Sequence, residues 1–208
     1  KCAATNDAAG LDDAGLEAFA PSYDDWGAGD VLFCSGTDPF ETKATLFATQ
    51  IMRGAQPNKV LICATPHRTT GVAWALARGG VWLPVLPGTD SVLHQAIARL
   101  IVERGWQDQA FIDRWVASRW EVDQGLGRGT RNTPWQWRTT WGAWQSDWAD
   151  YRAFLLARDE HRLEQAARIT GVDAAAIERA AELLARPRAD GSRPRASFML
   201  EKGNYWSN

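Results

Sequence analysis

Three short apolar runs, each closed by a turn rich in Gly, Pro, Thr or Asp and each followed by a helical pattern, constrain this chain more than any other feature. Within 30–35, 59–64 and 81–86, residues 31–34, 60–64 and 81–86 are apolar at consecutive rather than alternating positions. Runs of that kind fit strands covered on both faces, the condition of a parallel sheet. Pro84 interrupts the third run and predicts an edge or irregular position, because proline donates no ladder hydrogen bond. Between the runs the sequence predicts helices over 41–52, where Leu46, Phe47 and Ile51 follow helical spacing, and over 72–77. A helix over 92–103 follows the third run, with Asp90 or Ser91 as its cap. Strand, turn and helix in repetition predict an α/β, doubly wound fold: a mostly parallel sheet with helices on both faces.

Further helices are expected over 107–117, 148–157, 163–169 and 174–185, the last capped by Asp173. A polar link at 187–194 leads into the apolar run 196–200, which reads as another buried core strand. Such a strand needs neighbours on both sides. Little follows it, and Lys1 opens the chain without a methionine or signal segment. The expectation is therefore an internal piece of a larger multidomain polypeptide. Its organisation is expected to be an α/β unit at 1–119, a Trp/Arg-rich insertion at 120–148, and helices leading into the next strand at 149–208.

The 45% hydrophobic and 23% charged content is that of an ordinary folded domain. A net charge of -2 gives no electrostatic reason to expect nucleic acid or an anionic membrane as partner. No apolar run reaches the ~18 residues of a transmembrane helix. Cys2, Cys34 and Cys63 form no CxxC pair, so no zinc or iron–sulfur site is encoded in this stretch. Cys34 and Cys63 lie inside the apolar runs and are expected as buried thiols. The standard dinucleotide fingerprint, the P-loop and the nucleophile elbow are all missing. His94 and His161 fall in helical patterns and read as structural. The Arg/Trp stretch at 127–141 can be read as a single-strand nucleic-acid platform. It can equally be a surface insertion packing its tryptophans near Trp106, Trp115 and Trp120, and the acidic flanks Glu121, Asp147 and Asp150 favour that reading.

Chemistry is expected in the turns after the strands, because open α/β sheets bind ligands at the carboxyl ends of their strands. Gly36-Thr37-Asp38-Pro39 offers a small residue for close backbone approach, a hydroxyl and a carboxylate. His67-Arg68-Thr69-Thr70 adds a guanidinium and hydroxyls suited to a pyrophosphate. Asp90, in Pro87-Gly88-Thr89-Asp90, can accept two donors from a guanine edge or simply cap its helix. On residues alone, a nucleotide site and a set of ordinary turns both remain open.

Taken in order, five segments resemble the large catalytic subunit of the dimethyl sulfoxide reductase (molybdopterin oxidoreductase) superfamily. They are Gly36–Thr42, Pro66–Thr69, Pro87–Asp90, Ile169–Val172 and Glu201–Gly203. Tyr23-Asp24-Asp25, the Pro39-Phe40-Glu41-Thr42 turn and the ending from Pro194 to Gly203 are most similar to the arsenite oxidase and iodate reductase branch. The resemblance implies two-electron oxygen-atom transfer at a molybdenum bis(molybdopterin guanine dinucleotide) cofactor, with a small inorganic oxyanion as substrate. It assigns cofactor contacts to Gly36, Asp38, Arg68, Thr69, Asp90, Lys202 and Gly203, and no metal ligand. It also implies an iron–sulfur cluster held upstream, a Rieske-type small subunit as electron partner and a periplasmic location. Three positions depart from the pattern. Thr65 stands where an aspartate is expected before the proline, Ala3 stands where arsenite oxidases carry a substrate-binding histidine, and 120–148 has no counterpart in them. Arsenite and iodate both remain open as substrates, as does, from another class, a non-enzymatic nucleotide-binding module.

Overall fold

The computed structural model of the chain describes residues 24–53, 59–116 and 147–205. Cys2, Ala3 and almost all of the expected insertion lie outside the described residues. The contacts divide the chain into two compact units, whose described parts are 24–53, 59–106 and 158–205 for one, and 107–116 and 147–157 for the other.

The described residues of the larger unit form four strands, β1 (Val31–Ser35), β2 (Val60–Ala64), β3 (Val81–Leu83) and β4 (Ala196–Leu200). They are parallel and run in the order β3-β2-β1-β4. All of β1 is buried, which is why its sequence is apolar at every position. In register with it, Cys34 faces Cys63 on one side and Met199 on the other. β3 ends at Leu83, just before Pro84, and it is an edge strand as the proline requires.

The helices of this unit are α1 (Asp24–Ala28), α2 (Pro39–Thr42), α3 (Ala44–Leu46), α4 (Thr70–Leu76) and α5 (Asp90–Glu103). One face of the sheet packs Leu32, Cys34, Leu61, Cys63 and Met199 against Phe47, Ile51, Val72 and Ala75. The other face packs Phe33, Ile62, Ala64 and Leu83 against Leu93, Ile97, Ala166 and Ile177. The smaller unit holds α6 (Gln109–Trp115) and α7 (Trp148–Ala157). The larger unit continues with α8 (Leu163–Thr170), α9 (Ala174–Ala185) and, after β4, α10 (Lys202–Tyr205). The connections β1–β2 and β2–β3 cover one face, and α5, α8 and α9 the other, so the fold is doubly wound.

Several expectations need correction. The helix expected over 41–52 is broken: α2 and α3 meet at Lys43, and Phe47–Arg53 is π-helical. The break coincides with an ion pair of 2.6 Å from Lys43 Nζ to Glu201. Neither Asp90 nor Ser91 caps α5; its cap is Thr89, whose hydroxyl instead donates to the Leu86 carbonyl at 2.7 Å. The run 196–200 is a strand but not a buried one: β4 is an edge of the described sheet, and the described helices pack chiefly over β2 and β3. Phe198 and Leu200 are exposed, and only Met199 is buried. Asp173 does cap α9, accepting from Ala175 N at 2.9 Å. In α7, Asp147 and Asp150 cap each other's backbone N–H reciprocally, at 2.9 and 3.4 Å.

Candidate functional site

Because all four strands are parallel, the turns that follow them share one edge of the sheet. The chain winds outward from β1 to β2 and β3, then returns to the far side of β1 as β4. The carboxyl ends of β1 and β4 thus flank the topological switch point, where ligands of such sheets bind. Gly36 and Asp38 follow β1, Glu201 and Gly203 follow β4, Arg68 and Thr69 follow β2, and Asp90 follows β3.

At the switch point the two turns interlock. Gly36 adopts φ +67°, and a Cβ there would lie 2.6 Å from Asn204 N; a Cβ on Gly203 would lie 2.6 Å from Gly36 Cα. Gly203 N donates to Gly36 O at 3.1 Å, and Glu201 N to Ser35 O at 3.2 Å. The close approach that sequence reasoning reserved for a ligand at Gly36 is taken up by the chain itself.

Asp38 has two roles. Its Oδ1 accepts from Phe40 N at 2.9 Å and starts α2, with Pro39 at the first helical position. Its Oδ2 is buried and has no hydrogen-bond partner. Gly71, at the start of α4, leaves room for this carboxylate, since a Cβ there would lie 2.4 Å from Asp38 Oδ1. A buried acceptor left unpaired costs free energy until a donor reaches it, so the edge is suited to a ligand bearing N–H or O–H groups. Thr69 caps α4 by accepting from Val72 N at 3.2 Å. The neighbouring Arg68 is exposed and Asp90 half-buried.

Sequence reasoning missed a polar cluster at the same switch point. Ser35 Oγ lies 3.0 Å from His94 Nε2 and donates to Asn204 Oδ1 at 3.2 Å, while Asn204 Nδ2 donates to Ser35 O at 2.7 Å. Burial lowers the His94 pKa, against the opposing pull of Asp90. His94 is thus held by a partner 59 residues away, which no local pattern announces. Cys34 and Cys63 are buried free thiols. Burial pushes Cys63 up to about 12, helped by the charge of Asp38, and raises Cys34 as well. Among the described residues no group of three or more His, Cys, Asp or Glu side chains is placed to hold a metal ion. Among them, too, no helix is long and apolar enough to cross a membrane.

A doubly wound α/β unit with an unsatisfied carboxylate at its switch point belongs to the class of folds that take a ligand at the carboxyl edge. The structure aligns with acetylene hydratase from Pelobacter acetylenicus at a TM-score of 0.59 and 19% identity, over 95% of this chain and 21% of that one. No family model matches the chain. In sequence it is 62% identical over its full length to the iodate reductase subunit IdrA of Pseudomonas sp. (strain SCT), and 64% identical to that of Denitromonas iodatirespirans. It is 24% identical, over 93% of its length, to the arsenite oxidase subunit AioA of Herminiimonas arsenicoxydans. The likeness to the iodate reductase and arsenite oxidase branch thus covers the whole chain, and it is far stronger on the iodate reductase side. The chain spans 23% of the length of those iodate reductase subunits.

Proposed function

We propose that the chain is a cofactor-holding segment of the catalytic subunit of a molybdopterin-dependent oxidoreductase, and that the complete enzyme reduces an oxyanion of the iodate type. The observation that carries this reading is the 62–64% identity to two iodate reductase subunits along the entire chain, against 24% to an arsenite oxidase. When bound, a molybdenum bis(molybdopterin guanine dinucleotide) supplies the two-electron, oxygen-atom-transfer chemistry.

The residues on the carboxyl edge fit the nucleotide part of such a group. Arg68 is exposed, and its planar donors suit a phosphate. Asp38 Oδ2 awaits a donor, and by the resemblance the half-buried Asp90 carboxylate suits the N–H pair of a guanine edge. Lys202 and Gly203 bring the β4 turn to the same edge, and the Gly36–Gly203 contact fixes one turn against the other. By the same resemblance, an iron–sulfur cluster elsewhere in the subunit and a Rieske-type partner carry electrons, and the enzyme works in the periplasm.

The test uses the full-length polypeptide, purified with its cofactor. Iodate-dependent oxidation of a reduced viologen and arsenite-dependent reduction of a dye are measured side by side, with molybdenum content. Turnover of iodate well above that of arsenite is expected. Absence of molybdenum together with absence of turnover on either substrate contradicts the reading.

A further inference from the structure

At the end of the sheet opposite the candidate site, residues 179–195 carry five arginines and two carboxylates, in a chain of net charge -2. Four of the five belong to two Arg-Pro-Arg tripeptides, at 186–188 and 193–195. The turn between them is closed by Arg188 N donating to Ser192 O at 2.8 Å and Gly191 N to Arg188 O at 2.9 Å. This brings both tripeptides to the amino end of β1. There Arg188 and Arg195 share the Asp30 carboxylate, at 2.8 and 3.2 Å. At the end of α9, Arg179 and the C-cap residue Arg186 share Glu182, at 3.1 and 3.2 Å. Each carboxylate thus serves two guanidiniums, and two positive charges stay uncompensated among these six groups.

The same groups border a cleft of about 570 Å³, which Val31, Val60 and Leu183 also line. Beside it, immediately before β2, Lys59 is buried with its ammonium lacking a hydrogen-bond partner. Burial pulls the Lys59 pKa down, against the nearby charge of Asp30.

We propose that this cleft docks an acidic polypeptide segment of a partner protein, held by guanidinium–carboxylate pairs from Arg179, Arg186, Arg188 and Arg195. Three observations support that occupant. Each guanidinium carries five N–H donors. Among the described residues, those of Arg179, Arg186 and Arg195 reach only the Glu182 and Asp30 carboxylates, while Arg188 donates also to Ser192 Oγ and the Arg193 carbonyl, so donors remain on each. The central proline of each tripeptide fixes its φ, so the flanking arginines lose little further backbone freedom on binding. The volume lies within the roughly 300–1,000 Å³ of sites that enclose multi-atom ligands, far more than one small oxyanion fills. Clusters of arginine with spare planar donors are a recurrent means of reading acidic motifs. The inference stands apart from the cofactor assignment, because the cleft and the turns bearing Gly36, Arg68 and Asp90 lie at opposite ends of the strands.

The experiment uses the full-length holoenzyme and a fluorescein-labelled oligoglutamate peptide as probe, followed by anisotropy at low and raised salt. Saturable binding that weakens with salt is expected. Arg179→Gln, and separately Arg186→Gln with Arg188→Gln, are each expected to weaken it, by roughly three- to tenfold per guanidinium removed from this partly exposed site. Dye-coupled turnover is expected to stay at the wild-type rate in both variants. Should the double variant unfold by circular dichroism, Arg179→Gln, on the exposed surface of α9, decides alone. Absence of saturable binding, or affinity unchanged by the substitutions, overturns the proposal. Displacement of the peptide by inorganic phosphate at equal total charge also overturns it, in favour of a small-anion site.

Discussion

Replacing Gly203 by alanine places a methyl group 2.6 Å from Gly36 Cα, 2.8 Å from Gly36 O and 3.0 Å from Gly36 C. All three are backbone atoms, so no side chain can swing away to relieve the contact. Restoring ordinary carbon–carbon contact at ~3.5 Å means parting the β1 and β4 turns by about 1 Å. Overpacking of this kind costs ~1–3 kcal/mol. Gly36→Ala meets the mirror contact at Asn204 N and adds the penalty of φ +67°, ~1–2 kcal/mol. Gly88→Ala isolates that second effect, since Gly88 has φ +86° and nothing within 4 Å of the added methyl. The assay is hydrogen–deuterium exchange on the full-length protein, read at peptides spanning β1 and 196–205. A loss of ~1–3 kcal/mol corresponds to roughly five- to over a hundredfold faster exchange. It should centre on the Glu201 and Gly203 amides, which donate to Ser35 O and Gly36 O. Gly88→Ala should leave these amides as they are. Wild-type protection in Gly203→Ala would refute the interlocked-turn account.

Three further outcomes follow from the same structure. Cys34 and Cys63, buried and raised in pKa, should resist iodoacetamide at pH 8 in the native protein and label fully in denaturant, as read by peptide mass spectrometry; native labelling at the rate of an exposed free thiol would contradict this. Because burial lowers the folded pKa of His94 below 6.5, its contribution is fully present above that value. As pH falls from 6.5 towards the depressed value, the unfolded chain takes up the proton first and stability is lost; His94→Gln should flatten this slope in exchange experiments, and an unchanged slope would count against it. Ile177→Ala empties a fully buried position between the sheet and α5, and should cost ~2–5 kcal/mol locally, seen as faster exchange in α5 and α9.

What could be read from the sequence was whatever depends on neighbouring residues. Strands β1 and β2 were legible because burial on both faces demands unbroken apolar runs. The Asp173 cap was legible because capping is decided within two or three residues. The post-strand turns were legible as one edge because parallel strands place their successors together. What stayed hidden depends on distant partners. Lys43 breaks its helix where it meets Glu201, 158 residues away, and Gly36 is matched to Gly203 from the other end of the chain. His94 read as a structural histidine, and nothing near it in sequence pointed to Ser35 and Asn204. The exposure of Phe198 and Leu200 was hidden for a related reason, since an apolar strand reads alike whether or not a neighbour covers it.

The most direct test of the central claim is the guanine nucleotide released per polypeptide by acid treatment of the full-length protein, wild type against Arg68→Ala. Arg68 is exposed on the turn after β2. Its removal should therefore spare the fold, with β1 exchange unchanged, while weakening retention of the nucleotide. Guanine nucleotide in the wild type and a clear loss in Arg68→Ala is the predicted result. No guanine nucleotide in the wild type, or equal amounts in both proteins, would contradict the assignment of the carboxyl edge as a cofactor site.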